Sequence, residues 1–200
     1  MAALVWMVAF RTGHGQAADL SGLERLGRLQ GTRGETVADI VAGVCNEAPY
    51  AVLAVIVTVV ALTTRGKRGA AVVAAILIVP NVVTQLLKTT TAENRVDFPP
   101  TPIVHVEAAS WPSGHATAAM ALALACVIAA PAALRVIVAC AGLAFAAAVG
   151  VAVVALGWHF PSDVAGGYLV ATTGGCLGAA VLSRRETTVV RGVRWHPARG

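Results

Sequence analysis

Charge is what this sequence has least of. Acidic and basic residues fill only 12% of its 200 positions, where a soluble domain carries about a quarter. With 57% hydrophobic residues and a mean hydropathy of +0.74, there is too little polar surface to coat a globule, so the coat must be lipid. The same composition excludes disorder, a collagen-like repeat and a coiled coil. Aromatic residues are also few, at 5%, and no basic face is interleaved with them. The net charge of +5 therefore does not indicate nucleic acid as a partner. The four cysteines, Cys45, Cys126, Cys140 and Cys176, all lie in apolar runs. That placement excludes a disulfide framework and predicts buried, inert thiols. The chain reads as an integral membrane protein, with the Arg-, Ala-, Val- and Gly-rich composition of a GC-rich bacterial genome.

What is present is a series of charge-poor stretches. Residues 48–64, 69–87, 115–134, 136–158 and 164–183 each approach the ~20 residues that cross a hydrocarbon core. None alternates with period two, so helices are favoured over barrel strands. The span at 48–64 is expected to begin near Val37 and to kink at Pro49. Before it, residues 1–10 are apolar but too short to span, and read as the outer end of a truncated first helix. Leu20, Leu23, Leu26 and Leu29 recur among Glu24, Arg25 and Arg28, which predicts an amphipathic helix on the membrane surface. Ser21 and Glu24 have the spacing of its capping box. The chain divides as one membrane domain: residues 1–36 form the partial helix and interfacial helix, 37–183 a five-helix core, and 184–200 a basic tail.

Basic residues set the orientation. Arg65, Lys67 and Arg68 fill one turn, Arg135 ends the Pro131 turn, and Arg184, Arg185, Arg191, Arg194 and Arg199 crowd the tail. Two helices separate each cluster from the next, so all three face one side, expected to be the cytoplasm. Loops 89–114 and 157–163 then face outward from a bacterial cytoplasmic membrane.

Those outward loops hold nearly every reactive side chain. Lys88 and Arg95 supply positive charge and, in Arg95, a planar fork that matches phosphate oxygens. Ser113 and Gly114 open a helix, where backbone N–H groups and the positive dipole end meet an anion. His115 can give a proton to a leaving oxygen. His159 can act as a nucleophile if Asp163 takes the hydrogen of its other ring nitrogen. His105, Glu107 and the two site histidines have no compact metal-ligand spacing, so no metal or cofactor is expected. Trp111 and Trp158 flank the histidine motifs like an aromatic belt. Gly174 and Gly178, with Gly166 and Gly167, read as helix-packing positions within the bundle.

Lys88, six residues, Arg95; Pro112-Ser113-Gly114-His115; and His159, three residues, Asp163 together resemble the type 2 phosphatidic acid phosphatase family. The resemblance covers residues 88–163, and the helix pattern extends it to 183. It implies an all-α, six-helix membrane bundle and metal-independent hydrolysis of a lipid phosphate or pyrophosphate, of polyprenyl or phospholipid type. By carry-over His159 attacks phosphorus to form a phosphohistidine, Asp163 orients it, and His115 protonates the leaving group. Lys88, Arg95, Ser113 and Gly114 hold the phosphoryl oxygens.

Two positions depart from the family pattern. Val96 stands where Pro is usual, and Ala152-Val153 where the family has Ser-Arg. A missing cation at the phosphoryl group costs transition-state stabilisation; Arg11 or Arg33 is a candidate substitute. The alternative reading is a catalytically weakened or inactive lipid-phosphate-binding protein of the same fold. A transporter is disfavoured, because the helix centres carry no ionisable pair.

Overall fold

The structure, a computed structural model, describes residues 1–92, 106 and 109–192, with side chains as far as 183. Among the described residues every regular element is helical. The order is α1 (Ala2–Arg11), α2 (Gly13–Gly27), α3 (Arg33–Gly43), α4 (Glu47–Thr91), α5 (Gly114–Ala129), a 3-10 turn (Ala132–Leu134), α6 (Arg135–Ala155) and α7 (Pro161–Gly192). The all-α membrane fold expected from composition is what forms.

α4 contains two of the expected spans. Its 45 residues carry non-helical angles at Gly66, φ 70° and ψ −176°, a conformation open to glycine but costly for any residue with a Cβ. Tyr50 Oη donates to Leu77 O at 2.8 Å although 27 residues separate them. A straight helix would hold them about 40 Å apart at ~1.5 Å per residue, so the element folds back on itself at Gly66. α4, the stretch Ala132–Ala155 that includes α6, and the first part of α7 (Pro161–Ser183) are long and apolar enough to cross a membrane, while α5 and α1 are shorter apolar helices. The protein is a multi-pass membrane protein.

Several boundaries differ from expectation. No helix runs from Val37 through Pro49: α3 ends at Gly43, residues 44–46 turn, and α4 begins afresh after Asn46, which is extended at ψ 157°. Pro49 then occupies the first helical turn, where its missing N–H breaks no bond. The span expected over 115–134 stops at Ala129, because Pro131 forces Ala130 into an extended conformation at ψ 141°. Ser21 caps nothing. It lies inside α2, its hydroxyl donating to Ala18 O at 3.0 Å. The cap is Thr12, whose Oγ1 accepts from Gly15 N at 3.1 Å. α7 continues as helix to Gly192, so the basic tail expected from 184 begins helical.

α5 is the central helix. It packs on α4, α6 and α7, and Ala116, Ala118, Ala119, Ala121, Ala123 and Ala125 are all buried. Methyl-sized side chains let the neighbouring backbones come close. The expected glycine packing forms within the bundle: Cβ atoms on Gly174 and Gly178 would stand 2.7 Å from Pro80 and 2.6 Å from Ile76, both on α4. Apolar side chains such as Val55, Ile78, Ile137 and Leu177 face outward, as a lipid-facing surface requires. The thiols are only partly as expected. Cys45 is buried and Cys126 half-buried, but Cys140 and Cys176 are exposed on that outer surface; apolar surroundings, the sole signal for burial, include lipid as well as core.

The basic turns share one end. Arg65 Nε and Nη2 donate to Ile128 O and Ala130 O at 2.9 and 2.6 Å, closing the C-terminus of α5. Arg68 Nη2 donates to Val181 O at 2.6 Å. Arg65 and the 128–135 turn are thus adjacent, and the end of the apolar part of α7 lies beside them. The motif residues lie at the opposite end.

Candidate active site

Four segments meet around one cavity of about 1070 Å³. The second arm of α4 contributes Asn81, Gln85 and Lys88, which the 4-and-3 spacing places on one face. The α3–α4 turn contributes Cys45 and Asn46 and runs directly into the start of α4, which contributes Glu47, Pro49 and Tyr50; the start of α5 contributes Gly114 and His115, and the α6–α7 loop contributes Trp158 and His159. Lys88, Gly114, His115 and His159 therefore share a pocket, although 71 positions separate the first from the last.

The α6–α7 loop is held tightly. Gly157, at φ 73°, turns the chain out of α6, and the Val153 carbonyl accepts from Trp158 N at 3.0 Å and His159 N at 3.3 Å. Pro161 then opens α7. Asp163, in its first turn, is fully buried, and its Oδ2 accepts from Phe160 N at 2.9 Å. That reach back to the residue before the helix is a cap in its own right. The same oxygen lies 3.6 Å from His159 Nδ1, beyond hydrogen-bond distance but within strong Coulombic range. Nδ1 is buried and makes no hydrogen bond, so the ring presents this nitrogen to the carboxylate while the residue borders the cavity.

His115 sits across the pocket. Its Nε2 is 3.0 Å from Asn46 Oδ1; an amide oxygen can only accept, so Nε2 carries the hydrogen in this pair. The Trp158 ring lies against it at 5.4 Å. Asn46 carried no signal in the sequence, where it falls inside the span expected to run from Val37 through Pro49. Its contact with His115 spans 69 residues, which no local pattern reveals.

Ser113 is placed differently from its neighbours. It is fully buried and does not line the cavity. Its Oγ accepts from Ala116 N at 3.3 Å, as an N-cap does, and its own N–H donates to Asp163 O at 2.9 Å. Ser113 thus ties the His115 helix to the Asp163 helix. Behind it, Thr117 Oγ1 donates to Ser113 O at 2.8 Å and stands 2.9 Å from Thr84 Oγ1, joining α4 and α5 through two buried hydroxyls. Gly114, in contrast, faces open space; a Cβ there would meet only Gln85 Nε2, at 3.8 Å.

Arg95, His105 and Glu107 lie outside the described residues. Arg11 is not among the cavity residues; its guanidinium lies 5.2 Å above the Trp6 ring. Arg33 is also absent from the cavity, exposed at the start of α3, so neither lines the cavity beside Lys88. Val153 is fully buried in the apolar core with Ala116, Ala119 and Phe160. Among the described residues Lys88 is the cation that lines the cavity. Trp111 is not a belt residue: it is 3% exposed and packs with Ala9 and Phe10 of α1. Cys45, in the turn outside the helices, has its thiol pushed up to about 12 by burial, which makes it a poor nucleophile at neutral pH.

Comparison with known proteins agrees with this fold. The PAP2 superfamily model matches residues 69–186. No curated protein matches the chain. Among solved structures, a transmembrane PAP2 type phosphatidylglycerolphosphate phosphatase from Bacillus subtilis superposes with a TM-score of 0.76 at 21% identity, over 92% of each chain. At that identity the likeness is one of fold.

Proposed function

The chain belongs to the PAP2 superfamily, and from that premise we propose that it is a membrane phosphatase acting on a lipid phosphate or pyrophosphate, of polyprenyl or phospholipid type, through a phosphohistidine. The observation that carries the reading is the His159–Asp163 pair at the edge of a cavity that also holds His115 and Lys88. The 3.6 Å approach of Asp163 to Nδ1 favours a hydrogen there, which leaves the Nε2 lone pair to attack. As Nε2 bonds to phosphorus, the bond to the leaving oxygen breaks and His115, entering the step as an imidazolium formed beside the bound phosphate anion, passes its Nδ1 proton to that oxygen while Nε2–H stays on Asn46. Water then attacks the phosphohistidine, His115 takes its proton, and inorganic phosphate leaves with His159 regenerated.

Lys88, Arg95 and the backbone N–H groups at Gly114 and His115 are the proposed holders of the phosphoryl oxygens. Ser113 contributes by capping α5 and so aiming that helix end. Asn46 orients His115. In this reading the site faces outward from the cytoplasmic membrane, with the basic end formed by Arg65 and Arg68 on the cytoplasmic side.

Phosphate release from a panel of lipid phosphates by the detergent-solubilised protein, with EDTA present, tests the proposal. Release that survives EDTA and disappears in His159→Ala is the expected result. A specific feature favours a second reading: Val153 is buried in apolar core where the family has Arg. A folded protein that binds lipid phosphates without releasing phosphate would establish the non-catalytic binder instead.

A further inference from the structure

We infer that Asp19 is a positioning residue: from α2 it fixes the first turn of α7, and through that turn the alignment of Asp163 with His159. Its link to catalysis rests on the phosphatase reading above, whereas its link to geometry does not.

Asp19 is 4% exposed on a helix otherwise read as interfacial. A buried carboxylate is costly unless its oxygens are hydrogen-bonded. Both oxygens are engaged by one residue: Ser162 N donates to Oδ1 at 2.9 Å and Ser162 Oγ donates to Oδ2 at 2.7 Å. An anion at this point also complements the positive end of α7. Three residues further along α2, a Cβ on Gly22 would stand 2.6 Å from Pro161 Cγ, so the helix backbone rests on the proline ring. α2 therefore grips two consecutive residues at the start of α7.

The same turn carries the reacting pair. His159 is anchored to α6 by its N–H on Val153 O at 3.3 Å. Asp163 follows Ser162 directly. The His159–Asp163 separation is thus set between an α6 anchor on the histidine side and an α2 anchor on the aspartate side. Asp19 does not line the cavity, so it acts through Ser162 rather than on substrate. Without it, Ser162 N loses its acceptor, and the first turn of α7 is free to rotate or fray.

The test uses the full-length protein with Asp19→Ala, Asp19→Asn, Ser162→Ala and Asp163→Asn. Two readouts are taken: steady-state kinetics, and the 15N shift of His159 Nδ1 in histidine-labelled protein. Asp19→Ala is expected to lower kcat by about tenfold or more with KM within about twofold, as misplacement of a reacting group does. Its Nδ1 shift should move toward that of Asp163→Asn. Asp19→Asn keeps the shape and one acceptor, and should restore kcat to within about threefold. Ser162→Ala, which keeps the amide bond, should fall between, and it replaces Asp19→Ala as the test if that variant does not fold. An unmoved Nδ1 shift overturns the inference whatever the kinetics, as does wild-type kcat in Asp19→Ala. A wild-type protein without turnover counts against the phosphatase reading alone, and the Nδ1 shift then decides the inference.

Discussion

His115 Nε2 and Asn46 Oδ1 stand 3.0 Å apart, a contact that joins the start of the central helix to the turn before α4. It selects which ring nitrogen of His115 carries a hydrogen and which is left for proton exchange. Asn46→Ala should therefore lower kcat about tenfold, in line with the loss of one hydrogen bond to a reacting group, while Asn46→Gln should recover less than half of the loss because its longer side chain moves the oxygen. Steady-state phosphate release on the best substrate of the panel checks this.

Gly114 and Gly167 separate activity from stability. A Cβ on Gly167 would meet backbone, Ser113 O at 2.6 Å and Thr117 N at 3.0 Å, and neither can swing away. Gly167→Ala should cost about 1–3 kcal/mol by overpacking, seen as a lower Tm in detergent. A Cβ on Gly114 meets nothing closer than 3.8 Å but projects into the cavity floor. Gly114→Val should keep the wild-type Tm and lose phosphate release.

Arg65 closes α5 from the far end with bonds of 2.9 and 2.6 Å to Ile128 O and Ala130 O. Removing it leaves Ile128 O without its charged donor and Ala130 O with only the longer bond from Arg135 Nε, at 3.4 Å. Arg65→Ala should lose about 1.5–3 kcal/mol, and Arg65→Lys, which keeps the charge without the fork, about half of that. Thermal unfolding of the purified variants reads the difference, and KM should not change.

Burial raises the Cys45 thiol to about 12. A raised thiol value means that thiolate forms only as the pH climbs toward it, so at neutral pH Cys45 should react with maleimide about a thousandfold more slowly than an ordinary thiol. The rate should rise with pH and become fast on unfolding. Mass spectrometry of Cys45 peptides after timed labelling checks the expectation.

Read alone, the sequence determined the membrane class, the centres of the apolar helices though not all of their ends, and the end of the bundle that holds Lys88, His115, His159 and Asp163. Those properties come from local apolar runs, short motifs and the placement of arginines, which act within a turn or a single helix. It located the turn at Pro131 but misjudged Pro49, which opens a new helix instead of kinking an old one, since a proline's effect depends on whether the chain can restart beside it. Tertiary structure decided the rest. Asn46 reaches His115 across 69 residues and Asp19 reaches Ser162 across 143, and Trp111 left the interface for a contact with α1. Each of these pairings depends on which helices pack together, helped at Gly22 and Gly166 by the lack of a side chain that would collide with Pro161 or Trp111. That packing is a property of the whole bundle, with no periodic trace in the chain.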